Sequence, residues 1–220
     1  RPVAPRSSLK AGRFSPPAAF GILALMNESD ALPRSPELMS RHNTALLVVD
    51  VQTKLLKVIP DQAKMVWNIR RLIDGCRALD MTVLGTEQYP AGLGYTTPEL
   101  AERLGELPSK MMFSCRECTG LWRQLQDRGL SKVLVVGIEA HVCVQQTVLD
   151  LLASSVSVYV AVDATGSRYR IDLQTALRRM ESQGATLTTT EAALFEWCEA
   201  AGTPEFKAIS ALVRELAPSQ

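Results

Sequence analysis

A set of short, almost uninterrupted apolar runs constrains this chain most. Thr44–Asp50 reads TALLVVD, Val133–Ile138 reads VLVVGI and Ser157–Asp163 reads SVYVAVD. A strand with one wet face alternates polar and apolar residues. Runs without alternation are buried on both faces, as in a parallel sheet covered by helices. The stretches between them fit: Gln62–Leu79 carries Val66, Ile69, Leu72, Ile73 and Cys76 at helical spacing. Thr82–Glu87 reads as a second strand, Pro98–Leu104 as a short helix and Lys110–Phe113 as a candidate strand. Helices are expected at Gly120–Arg128, from about Val142 to Ala153, and at Asp172–Gln183. Ala185–Thr189 reads as a last strand, and helices at Glu191–Ala200 and Pro204–Leu216 close the chain. Alternating strands and helices with right-handed crossovers predict an α/β fold, a doubly wound parallel sheet.

At 220 residues with 46% hydrophobic content, the chain has enough apolar material for one well-packed domain. The formal charge of +1 supplies no global field toward nucleic acid or an anionic membrane. No apolar run reaches the roughly 18 residues of a membrane-spanning helix. Five cysteines, an odd number in a mid-sized chain without a secretory apolar core segment, suit a reducing compartment.

The first forty residues differ in texture. Arg1, Arg6, Lys10 and Arg13 are interleaved with serines and prolines, and no acid precedes Glu28. They are expected to form a flexible extension (residues 1–40) ahead of a single domain (41–220). A cytoplasmic location is expected, or a mitochondrial one if the extension is a transit segment.

In an open parallel sheet, reactive groups gather beyond the carboxyl ends of the strands, where strand order reverses. Asp50 closes the first strand. Cys143 lies just past the Val133–Ile138 strand, at the first turn of the next helix, and Lys110 follows the turn Leu107-Pro108-Ser109. If the two strands are neighbours, thiol and carboxylate face each other. A free thiol is mostly protonated at neutral pH and is a weak nucleophile. A helix N-terminus and a nearby ammonium favour the thiolate, and a carboxylate can take the proton. Each residue also has an ordinary reading: Asp50 as a cap, Lys110 as a solvated turn residue, Cys143 as a small core hydrophobe.

Cys115-Arg116-Glu117-Cys118 offers a competing reading as a redox or metal-binding motif. It has no second Cys pair and no His-x-x-x-His partner, and it falls later than a thioredoxin-type motif should. A third reading is a non-catalytic organelle protein that associates with nucleic acid through its basic start.

Five blocks in order, Ala45–Gln52 (ALLVVDVQ), Thr86–Pro90 (TEQYP), Ser109–Ser114 (SKMMFS), Gly137–Val144 (GIEAHVCV) and Val162–Arg168 (VDATGSR), resemble the isochorismatase-like hydrolase superfamily. The similarity runs from about Thr44 to Leu216 and is greatest to the isochorismatase domain-containing proteins. The resemblance implies a six-stranded parallel sheet and an Asp–Lys–Cys triad, falling on Asp50, Lys110 and Cys143. It also implies a non-proline cis peptide at Ile138–Glu139, with the N–H groups of Glu139 and Cys143 aimed at a developing oxyanion. Homo-oligomers are common in the family.

Two departures matter. Nicotinamidases of this superfamily hold a metal through an Asp-x-His pair and a further His, whereas this chain has only His42 and His141, at no metal-ligand spacing. Neither a metal nor another cofactor is therefore expected. True isochorismatases lack the nucleophilic Cys, so Cys143 points to acyl chemistry on a small amide, ureido or related carbonyl substrate through a thioester. Gln88, Tyr89 and Phe113 are the candidate pocket residues.

Overall fold

A computed structural model describes residues 32–218, so most of the basic N-terminal stretch lies outside the described residues. From Pro36 onward the chain forms one compact unit. The strands are β1 (Thr44–Val49), β2 (Val83–Gln88), β3 (Ser109–Lys110), β4 (Lys132–Ile138), β5 (Ser157–Gly166) and β6 (Thr186–Thr188). The helices are α1 (Thr53–Leu56), α2 (Gln62–Ala78), α3 (Pro90–Leu93), α4 (Pro98–Leu104), α5 (Thr119–Asp127), α6 (Gln145–Ala153), α7 (Arg170–Ser182), α8 (Thr190–Cys198) and α9 (Pro204–Val213).

All five strand pairings are parallel, in the order β3-β2-β1-β4-β5-β6. The chain winds outward from β1 to β3, returns to lay β4 against the other side of β1, and winds outward again. The reversal point therefore lies between β1 and β4, as the sequence reading required for Asp50 and Cys143.

The unbroken apolar runs serve two cores at once. In β1, Ala45, Leu47 and Val49 face one layer with Val133 and Val135 of β4 and α5, α6 and α7. Leu46 and Val48 face the other with Leu134 and Val136, against α2, α8 and α9. Each such side chain, fully buried, contributes about 1.5–3 kcal/mol. The nucleophile candidate belongs to the first layer, with Cys115 and Cys118.

One close approach sets the geometry at the reversal point. Gly137 pairs with Val49 at φ 119°, and a Cβ there would lie 2.1 Å from the Val49 carbonyl oxygen. Only glycine lets β1 and β4 meet this tightly beneath the site.

Two sequence expectations need correction. The packed unit begins before residue 41: Met39 is fully buried and donates its N–H to Glu196 Oε2 at 2.8 Å. The candidate strand Lys110–Phe113 stops after Lys110. Beyond it the N–H groups of Met111 and Met112 both go to the Glu117 carboxylate, at 2.9 and 2.8 Å, instead of to a neighbouring strand.

Candidate active site

β1 ends at Val49, and Asp50 then adopts a left-handed conformation (φ 53°), which Asp tolerates better than most residues. The turn folds its carboxylate back under the strand ends, where it is fully buried. Oδ2 accepts from Lys110 Nζ at 2.7 Å and Oδ1 accepts from Thr86 Oγ1 at 2.8 Å.

Lys110, the last residue of β3, has no exposed side-chain surface. Its ammonium has three N–H donors and four acceptors: Asp50 Oδ2, Gln88 Oε1 at 2.7 Å, the Phe113 carbonyl at 2.8 Å and the Met112 carbonyl at 3.2 Å. Burial is the largest single influence and works against the charge, but Asp50 together with Cys143 and Cys115 outweighs it and holds the ammonium above the ordinary lysine range. An ion pair this deep persists only because both partners are otherwise satisfied.

Cys143 comes from the other half of the sheet. After β4 the Ile138–Glu139 peptide is cis, and Ala140–Val144 form a wide π-helical turn before α6. Within it the N–H groups of Val142 and Val144 donate to the Glu139 carbonyl, at 3.0 and 3.3 Å. Cys143 is nearly buried, with its thiol near enough to Asp50 and Lys110 for both charges to act on it. Burial and then the Asp50 charge push this thiol well above its ordinary range, and Lys110 opposes them without prevailing. This corrects the expectation of a depressed thiol pKa: the resting sulfur carries its proton.

Glu139 is pinned from outside the turn. Arg168 grips both its carboxylate oxygens through Nη2 at 2.7 Å and Nε at 3.2 Å, and also donates its backbone N–H at 3.0 Å. Burial opposes ionisation of Glu139, but the Arg168 contacts win and hold the carboxyl below the usual range. His141, in the same turn, sits 3.0 Å from Ser167 Oγ through Nδ1. The Cys143 turn is thus tied to the loop that starts α7.

The pocket candidates separate. Tyr89 and Phe113 are exposed on the loops after β2 and β3. Gln88 lies further in. It is buried, its Oε1 accepts from Lys110, and its Nε2 donates to the Met111 carbonyl at 2.9 Å. It holds the lysine.

Several residues inside the quoted blocks went unassigned from sequence. Thr86 holds Asp50. Gln52 accepts the Gln88 N–H at 2.7 Å and donates to the Gln88 carbonyl at 2.9 Å, so it braces the end of β2. Polar residues at the ends of otherwise apolar strands were the available signal.

The C-x-x-C motif opens into a short 3₁₀ turn, with both thiols buried and free. Burial, with Asp50 second, pushes Cys115 up to about 11, and burial also raises Cys118. Neither has the thiolate character of a redox-active pair. Among the described residues no group of three or more His, Cys, Asp or Glu side chains is placed to hold a metal ion. Nor is any helix there long and apolar enough to cross a membrane.

Comparison with known proteins fits this arrangement. The Isochorismatase domain matches residues 44–192, a span that contains all five sequence blocks. The chain belongs to the isochorismatase family. Isochorismatase domain-containing protein 2A of Mus musculus is 37% identical over 177 residues, covering 80% of this chain and 85% of that protein. Isochorismatase domain-containing protein 2 of Macaca fascicularis is 40% identical over 178 residues, with the same coverage. A solved structure described as MAR1 ribonuclease from Caenorhabditis elegans superposes with a TM-score of 0.76 at 39% identity, covering 83% of this chain and 95% of that one. For this isochorismatase-family hydrolase, the six-stranded sheet is the shared scaffold.

Proposed function

We propose that the chain is a cysteine hydrolase that opens the C–N bond of a small amide, ureido or related carbonyl compound through a thioester on Cys143. The observation that carries this is one buried carboxylate, Asp50, whose charge acts on the Cys143 thiol and which is ion-paired with Lys110 at 2.7 Å.

The steps follow from the resting protonation. As sulfur attacks the carbonyl carbon, the thiol proton passes to Asp50, so the thiolate forms only with the new C–S bond. The carbonyl oxygen becomes an oxyanion, for which the N–H groups of Glu139 and Cys143 are the assigned donors. Asp50 returns the proton to the nitrogen as the C–N bond breaks, leaving a thioester and an amine or ammonia. Water then attacks the thioester and gives its proton to Asp50. The C–S bond breaks and the thiol is restored. Lys110 anchors the Asp50 carboxyl through its 2.7 Å contact during these transfers.

The substrate follows from the charges. Every charged group at the site is already paired: Asp50 with Lys110, Glu139 with Arg168, Glu117 with two backbone N–H groups. Lys110 has no N–H left for a substrate anion. The surrounding loops instead expose Tyr89, Met112 and Phe113. Uncharged carbonyl compounds with an apolar group fit such a site. Ammonia release from a panel of primary amides is the test, with Cys143→Ala as control. Turnover that survives in that variant would remove the nucleophile.

The ribonuclease designation of the Caenorhabditis elegans structure motivates a second reading. Phosphodiester cleavage needs cations free to meet phosphate, and Lys110 is saturated. RNA cleavage that disappears in Cys143→Ala or Lys110→Met protein would favour this reading over the amidase.

A further inference from the structure

The C-x-x-C motif has no place in the mechanism above, yet Cys115 stands between its parts. Cys115 Sγ is 3.5 Å from Thr86 Oγ1, and Thr86 Oγ1 is 2.8 Å from Asp50 Oδ1. Proton bookkeeping fixes the direction of this chain. An ionised carboxylate only accepts, so the single hydroxyl proton of Thr86 is given to Asp50. The Thr86 oxygen can then only accept from sulfur, and Cys115 must donate S–H. From its backbone Cys115 reaches the other half of the site. Its N–H donates to Thr147 Oγ1 at 2.9 Å, and that hydroxyl donates to the Cys143 carbonyl at 2.7 Å. Cys115, Thr86 and Thr147 are all buried, so water cannot substitute for any link.

We infer that Cys115, through Thr86 and Thr147, is a positioning residue that fixes the Asp50 carboxylate relative to the Cys143 turn. This rests on Asp50 serving as the base for Cys143. The orientation matters because Lys110 occupies Oδ2 and Thr86 occupies Oδ1, leaving a limited set of lone pairs for the Cys143 proton. Without Thr86 the carboxylate keeps Lys110 on Oδ2 but loses its anchor on Oδ1. Cys115 blocks the alternative Thr86 rotamer by taking the hydroxyl oxygen as acceptor. For this it must stay a thiol, and the upward push on its pKa to about 11 keeps it one at neutral pH. The motif's first cysteine is thereby a structural donor, and oxidising it would break the chain.

The test reads the Asp50 carboxyl directly. The ¹³Cγ resonance of labelled aspartate, assigned by its loss in Asp50→Asn, is titrated in the full-length protein and in four variants. Thr86→Val removes the donor to the carboxylate and is expected to raise the Asp50 midpoint by about one to two pH units. Thr86→Ser restores the hydroxyl and should return it to the starting value. Cys115→Ala acts one bond further away through a weak S–H donor, so its upward shift is expected to be roughly a few tenths of a unit. Cys115→Ser keeps a donor and should show no such shift. A merely structural contact would lower thermal stability in these variants without moving the Asp50 titration. An unchanged midpoint in Thr86→Val, or equal shifts in Cys115→Ala and Cys115→Ser, overturns the inference. Failure of the parent reading shows elsewhere, as amide turnover that persists in Cys143→Ala while the Asp50 titration still answers to Thr86.

Discussion

Replacing Lys110 by Met removes one charge of a pair whose side chains are both fully buried and 2.7 Å apart. Asp50 would keep the Thr86 donor but lose its counter-ion, in a layer where water cannot reach it. Breaking a buried pair on one side costs about 3–5 kcal/mol. The carbonyls of Met112 and Phe113 and the Gln88 amide oxygen would lose their donor as well. Against a domain stability of about 5–15 kcal/mol, the loss is large. Asp50→Asn is milder, about 1–3 kcal/mol, because the ammonium keeps its three other acceptors. The double variant leaves no charge unpaired and should recover about 2 kcal/mol or more of the Lys110→Met loss. Urea unfolding of all four proteins measures the cycle. A Lys110→Met loss under about 1 kcal/mol, the range of exposed pairs, or additive single effects would refute the buried-pair reasoning.

Other expected outcomes follow from the same packing. Burial raises the thiols of Cys76, Cys115 and Cys143 in the folded chain. Their contribution to stability is therefore complete below the unfolded thiol range, about pH 8.5, and declines as pH rises through it toward about 11 for Cys115. Guanidinium midpoints should fall between pH 7.5 and 10, and a constant or rising midpoint contradicts the burial. Gly137→Ala puts a methyl 2.1 Å from the Val49 oxygen at φ 119°. It should cost on the order of 3 kcal/mol and lower the thermal midpoint by about 6–12 °C; an unshifted melting curve would mean β1 and β4 are not in contact there. In substrate competition, benzamide should beat its 4-carboxylate analogue at least about tenfold in kcat/KM, because the carboxylate finds no free donor. Equal values would show a cation available at the site.

Much of this arrangement was legible because two facts coincide in the sequence. Continuous apolar runs allow only a doubly covered sheet, and Asp50 closes one such run while Cys143 stands one turn past another. The rest needed three dimensions. Met111, Met112 and Phe113 have a strand's composition, but Glu117 takes the first two N–H groups and the loop leaves the sheet edge. Gln88 reads as a pocket residue, and its contacts to Lys110 and Gln52 come only with the fold. The direction of the Cys143 shift could not be read from its neighbours alone, because Lys110 and Asp50 act in opposite senses and burial decides. Met39 belongs to the core through Glu196, 157 residues away, a contact no local pattern announces.

The most direct measurement is the mass of the protein quenched in acid during turnover of a small amide. A covalent acyl adduct on the peptide containing Cys143, absent in Cys143→Ala and released by hydroxylamine, is the predicted result. Turnover with no adduct on that peptide, or an adduct on Cys115 or Cys118 instead, would contradict the assignment of Cys143 as nucleophile.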